Sequence, residues 1–174
     1  MKIEVVDYDP KWPEIYESER LLLLGNLQGI IENIYHIGST SIESLAAKPI
    51  IDIVLEVRSL DALDNATCQM ETIGYEAKGE YGISGRRYFR KGKIRRTHQL
   101  HAFLSNDKNV TRHIAFRNYL REHPNVMKEY ASLKVVLART CNNDINVYCD
   151  GKEEFVKYYE AKAIEWNKIT YQKN

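Results

Sequence analysis

Between Ile51 and Val57 apolar and polar positions alternate along the chain. Ile51, Ile53, Leu55 and Val57 fall on one side of an extended backbone, and Asp52, Val54 and Glu56 on the other. A strand with this pattern buries the first set and turns both carboxylates to the opposite face. Upstream, residues 33–37 predict a second strand. Between the two lies Gly38-Ser39-Thr40-Ser41. Its glycine can turn the chain sharply and its hydroxyls can cap a short helix, leaving backbone N–H groups free to hold an anion. The stretch 35–58 thus reads as strand, anion-holding turn and acid-bearing strand.

The remaining pattern supplies elements to pack around this unit. Residues 3–6 predict a short edge strand. Ile15, Leu21 to Leu24, Leu27, Ile30 and Ile31 recur at helical spacing after Pro13, a favoured helix-opening residue, although Gly25 and Gly29 weaken the second half. Ser59 can cap a helix that turns Leu60, Leu63, Met70 and Ile73 inward and ends at Gly74. From 75 to 105 short β-prone runs are broken by glycine. The strongest are Tyr88-Phe89 and residues 100–104, with Lys91-Gly92-Lys93 as the hairpin turn. The last third predicts helices over 111–121, 125–139 and 152–166. The first two are split at His123-Pro124, and the third has Phe155, Val156, Tyr159 and Ala163 inward.

Composition changes this picture little. The chain has 174 residues, 44% hydrophobic and 28% charged, with a formal net charge of +1. That length suits one domain spanning 1–174, and the charge gives no global attraction to nucleic acid or membrane. Cys68, Cys141 and Cys149 are odd in number and widely spaced, which predicts buried, reduced thiols rather than disulfides or a zinc site. No apolar run approaches the roughly 20 residues of a membrane span, and Met1-Lys2-Ile3-Glu4 does not open a signal peptide, so a cytoplasmic location is expected.

Local charge is more informative. Arg86, Arg87, Arg90, Lys91, Lys93, Arg95 and Arg96 make the hairpin the most basic part of the chain, with Tyr88 and Phe89 interleaved. Such a ribbon can grip phosphates or an RNA backbone, or it can be an edge whose cations discourage strand-to-strand pairing. The RNA reading predicts affinity that falls steeply with salt. Arg112 opens a helix where the dipole disfavours a cation unless an acid or anion lies near. Among the histidines, His36 precedes the glycine turn and can orient it. His98 packs beneath the sheet, and His113 and His123 read as surface or cap residues.

Seven stretches resemble the GrpB (UPF0157-like) family in the family's own order, covering nearly the whole chain. They are VDYDPKWPEIYESE at the start, HIGSTSIESLAAKPIIDIVLEV, ISGRRYFRKG with RTHQLHAFL, RHIAFRNYLREHP, YASLKVVLA and YCDGKEEFV. The resemblance implies an α/β (α+β) fold of the nucleotidyltransferase-like type, a mixed β-sheet flanked by helices with a helical C-terminal third. It also implies that Gly38-Ser39 is the phosphate turn and Asp52 the first acid of the metal-binding strand. Against the family pattern, Ile42-Glu43-Ser44-Leu45 replaces valine-proline-glycine-leucine, Gln99 replaces histidine and Asn118 replaces aspartate.

Active nucleotidyltransferases carry a second acid two positions after the first, because two divalent cations bridge the phosphates and the attacking oxygen. Here that position is Val54, and Glu56 lies about 13 Å along the strand from Asp52. His101 stands where a third acid is sought, sharing its face with Gln99 and Phe103. A single Mg2+ on Asp52 and His101 is one reading. A carboxylate paired with Lys48 or an arginine is the favoured one. Three functions follow. In the first, a nucleotide or other phosphorylated small molecule binds Gly38, Ser39, Thr40 and Ser41 with charge from Lys48, Arg86, Arg87 and Arg112, and Asp52 and His101 act as the catalytic pair of a nucleotidyltransferase. In the second the chain is a non-catalytic module that binds a protein partner, since GrpB-like domains also occur joined to dephospho-coenzyme A kinase. The third is RNA binding through the hairpin. A membrane partner is not expected.

Overall fold

The structure, a computed structural model, describes residues 3–171. Met1 and Lys2, which entered the signal-peptide expectation, lie outside the described residues. Five strands form one mixed sheet in the order β1-β2-β5-β4-β3. They are β1 (Ile31–Ile37), β2 (Ile51–Val57), β3 (Tyr75–Ala77), β4 (Arg87–Lys91) and β5 (His98–Leu104). β2 runs antiparallel to β1 and parallel to β5, and the β3-β4-β5 meander is antiparallel throughout.

The alternation in β2 decides what each face does. Ile53, Leu55 and Val57 are fully buried beside Leu100, Ala102 and Phe89, under α1 (Trp12–Asn26), α2 (Leu60–Asn65) and α3 (Thr67–Thr72). Each such side chain stabilises the fold by roughly 1.5–3 kcal/mol through burial. His98 packs on this side too, 3.7 Å from the buried Glu19 carboxylate of α1, which also accepts two bonds from Lys91 at 2.8 and 2.9 Å. On the opposite face Ile37, Val54 and Phe103 meet Val110 of α4 (Lys108–Glu122). That face is only partly roofed by α4. The rest lies open under α5 (Pro124–Thr140) and α6 (Ile145–Tyr171).

Several boundaries differ from the sequence reading for identifiable reasons. Residues 3–6 make only one bridge, Val6 to Ala47, and not a strand. Ile30 and Ile31 leave the helical run because α1 ends at Asn26 and Ile31 opens β1. Ser59 does cap α2, accepting from Ala62 N–H at 3.2 Å, but the helix to Gly74 breaks in two at Ala66. The β4-β5 connection spans 92–97, longer than the expected three-residue turn, closed by Thr97 N–H to Lys91 O at 2.9 Å. α4 starts three residues early on an Asp107 cap. α6 starts seven early, where the Asp144 carboxylate accepts from Asn146 N–H at 2.8 Å. Of the cysteines only Cys141 is buried; Cys68 and Cys149 are exposed, and all three are free. Among the described residues no helix is long and apolar enough to cross a membrane.

Candidate functional site

The turn after β1 is built against Asp52. Gly38 has φ +69 and ψ −173, a conformation open to glycine, and a Cβ there would sit 2.6 Å from Asp52 Oδ2. The following residues, Ser39–Ser41, make a single 3-10 turn. Its first ladder bond, Ser41 N–H to Gly38 O at 3.2 Å, leaves the N–H groups of Ser39 and Thr40 ahead of it. The hydroxyls divide their work. Ser41 Oγ donates to Gly38 O at 2.6 Å, and Thr40 Oγ1 shares a 2.9 Å bond with His36 Nε2, so both are spent holding the turn. His36 is itself stacked on Tyr16, and its pKa is pushed down to about 4 by burial and by Arg121 and Arg117. Ser39 and Thr40 both line the cleft, and the Ser39 hydroxyl is the one bonded to a side chain of it.

It faces a lysine. Lys134 on α5 is 2% exposed. It donates to Ser39 Oγ at 2.7 Å and to Ala46 O at 2.5 Å, with Nζ 4.5 Å from the Tyr130 ring centre. Burial, and then repulsion from Lys152, push its pKa down to about 7. Gly151 lets α6 close on α5, since a Cβ there would collide with Leu137. This brings Lys152 to the same cleft. The cleft holds about 630 Å3, and Lys48, Arg90, Arg96, Lys134 and Lys152 line it against one carboxylate, Asp52. Asp52 has no cation within ion-pair distance among the described residues, so the expected pairing with Lys48 or an arginine does not occur. Burial raises its pKa to about 6 despite the surrounding charges of Lys152, Lys48, Arg96 and Lys134.

A second recess of about 480 Å3 shares Ser39, Asp52, Gln99 and Lys152 with the first and adds His101, His113 and Arg112. His101 accepts from Arg86 Nη1 at 3.3 Å through Nδ1, which places its proton on Nε2. Burial, with Arg86 and Arg112, pushes its pKa down to about 3, so it is a neutral donor. His113, expected at the surface or a cap, instead lies beside it with ring centres 5.5 Å apart and the planes tilted by 40°. Arg112 does not open its helix, since α4 begins at Lys108, but it pairs with Glu160 of α6 at 2.8 Å. Arg86 is 7% exposed and holds the carbonyls of Glu80 and Tyr81. Arg87 points to the far face, gripped by Asp64 of α2 through bonds of 2.7 and 2.8 Å. Of the basic hairpin, therefore, Arg86, Arg87 and Lys91 are held within the fold, while Arg90 and Arg96 reach the cleft.

The residues present do not fit a two-metal centre. Val54 is fully buried in an apolar cluster. Glu56 is committed elsewhere, accepting from Asn33 Nδ2 at 2.8 Å, Tyr35 OH at 3.0 Å and Asn106 N–H at 3.3 Å. His101 has its Nδ1 against a guanidinium. Among the described residues no three of His, Cys, Asp and Glu are grouped to hold a metal ion.

Gly38, Ser39, Lys48, Asp52 and His101 are thus brought to adjoining recesses, and Arg112 to their edge. Lys134 and Lys152 went unread in the sequence. Each falls on an apolar stripe, Met127-Tyr130-Lys134-Leu137 and Tyr148-Lys152-Phe155-Tyr159. A lysine at an inward helical position is the signal that marks them.

Comparison with known proteins agrees over most of the chain. Residues 2–162 match the family model described as GrpB protein. The UPF0157 protein YqkA of Bacillus subtilis is 48% identical over 96% of this chain, which spans only 49% of that relative's length. The glutamate-rich protein GrpB of Alkalihalophilus pseudofirmus is 32% identical, with 89% of this chain and 92% of that protein covered. The crystal structure of conserved protein GrpB from Enterococcus faecalis superposes with a TM-score of 0.90 at 43% identity, covering 93% of this chain and 98% of that one.

Proposed function

The chain belongs to the GrpB protein family, and from that premise and the chemistry of the cleft we propose that it binds a nucleotide or other phosphorylated small molecule. The carrying observation is one cleft with five basic side chains and a single carboxylate, set against a glycine turn. Phosphate oxygens would take hydrogen bonds from Lys134, Lys152 and the turn's N–H groups, with Lys48 and Arg96 adding charge. In this reading the side-chain cations neutralise the phosphates directly. Asp52 then meets a ligand hydroxyl. A carboxylate that ionises near 6 is a stronger base than an ordinary aspartate, and it is ionised at neutral pH.

The same groups would serve nucleotidyl transfer of the kind the nucleotidyltransferase-like resemblance implies. A hydroxyl oxygen would bond to phosphorus, its proton would pass to Asp52, and the bond to the leaving pyrophosphate would break, with lysines stabilising the charge on the leaving oxygens. Thermal-shift measurements with nucleoside triphosphates, in EDTA and in Mg2+, test the binding. Stabilisation in both media is expected, and no stabilisation at millimolar nucleotide would reject the site.

A second reading is favoured by the half of YqkA that lies outside the matched part. There the chain is a module working beside a phosphate-handling enzyme such as dephospho-coenzyme A kinase. A pull-down that returns one consistent protein, with Asp52→Asn still capturing it, would support that role.

A further inference from the structure

Between β3 and β4 the chain makes a glycine-rich excursion over 78–85 with Tyr81 at its tip. Tyr81 sits in the left-handed region at φ +46 while its side chain is 56% exposed. A bulky residue in that conformation, mostly in water, gains little from folding. Yet its position is fixed. Arg86 donates to the Tyr81 and Glu80 carbonyls at 2.5 and 3.1 Å, Gly85 N–H donates to the Glu80 carboxylate at 2.7 Å, and Tyr88 N–H donates to Gly79 O at 2.8 Å. The Tyr81 ring stacks on Tyr88 at 5.1 Å with 30° between planes. The Arg90 guanidinium lies 4.5 Å from the Tyr81 ring and 5.2 Å from that of Tyr88. Arg90 makes no ion pair among the described residues and its buried Nε has no hydrogen-bond partner, its guanidinium interacting instead with the Tyr88 and Tyr81 side chains. All three side chains line the cleft that holds Asp52 and Lys134.

Their distance from the acid is set by the sheet. Asp52 pairs across to Gln99, and Gln99 to Arg90, so Arg90 lies two strand spacings, about 10 Å, from Asp52. Gln99 stands between them. Its Oε1 accepts from Tyr88 OH at 2.9 Å, which leaves its amide N–H groups to donate into the cleft. From one end to the other the cleft therefore offers a planar π-surface with a cation, then an amide and a carboxylate, then lysines. That sequence matches a base, a ribose and phosphates.

We propose that Tyr81, backed by Tyr88 and Arg90, is a stacking platform for a nucleobase, so that the ligand is a nucleotide and not a sugar phosphate or an inorganic polyphosphate. This rests on the phosphate reading above and adds the ligand's other end. Stacking of this kind tolerates any base, because every base presents a π-face.

Calorimetric titration with ATP and with inorganic tripolyphosphate, both in EDTA, separates the two ends. Wild-type protein is expected to bind ATP roughly tenfold or more tightly than tripolyphosphate. Tyr81→Ala should bring that ratio close to one while leaving tripolyphosphate affinity unchanged, and Tyr81→Phe should restore it. Equal affinities in the wild type, or a ratio that survives Tyr81→Ala, would overturn the platform and leave the phosphate site standing. Binding of neither ligand would overturn both.

Discussion

Replacing Asp52 by asparagine should make the protein more stable and less able to bind. Asp52 sits at the floor of the cleft with no ion-pair partner, and its pKa rises from the ordinary 3.8 to about 6. A group raised in this way favours the folded state while protonated, and that contribution is lost as the pH climbs through the folded pKa. At about 1.36 kcal/mol per pH unit, holding the carboxylate charged at pH 8 costs the fold about 3 kcal/mol. Asparagine has nearly the shape of the protonated acid and carries no such cost. Below pH 4 the two proteins should unfold alike. Between 4 and 6 the variant should pull ahead, and above 7 the gap should be full. For a chain of this length that corresponds to a melting temperature higher by about 6–12 °C at pH 8. Thermal unfolding followed by circular dichroism at pH 4, 6 and 8 reads the effect. A variant no more stable than wild type at pH 8, or stabilised equally at pH 4, would refute the reasoning.

Other consequences follow from the same geometry. Lys134, with its pKa held down to about 7, is largely neutral at pH 8, so a bound phosphate should recharge it. Titrations of tripolyphosphate at pH 8 in buffers of different ionisation enthalpy should show uptake of close to one proton, absent in Lys134→Met. Gly38→Ala forces a Cβ against Asp52 Oδ2 and should abolish tripolyphosphate binding while lowering the melting temperature by several degrees, whereas Gly25→Ala, with open space around it, should do neither. Lys91→Met strands the buried Glu19 carboxylate and should destabilise by about 3 kcal/mol in urea unfolding, with tripolyphosphate affinity unchanged.

The sheet and its acid were legible because strand periodicity is simple: β2 begins and ends where the alternation does, and Asp52 faces the cleft as that alternation requires. The glycine turn was legible through its small residues. Helix starts were less so. The Asp107 cap precedes Lys108 and Asn109, which carry no apolar period, and after Asp144 the apolar Ile145 and Val147 are exposed while only Tyr148 packs, so neither start stood out in the pattern. Lys134 was hidden for the opposite reason. It occupies a core-facing position, and what makes that tolerable is Ser39 and Ala46, far away in sequence. The hairpin's charge misled in part because its partners, Asp64 and Glu19, lie in helices that the sequence does not connect to it. Long-range pairing of charges is the information a local pattern does not carry.

The central claim is that side-chain cations, led by Lys134, hold a phosphate chain in this cleft. Calorimetric titration of tripolyphosphate in EDTA, into wild type and Lys134→Met, tests it most directly. Binding by the wild type, weakened at least roughly tenfold by the loss of one charge-assisted bond, is the expected result. No binding in EDTA, or equal affinity in the two proteins, would contradict it.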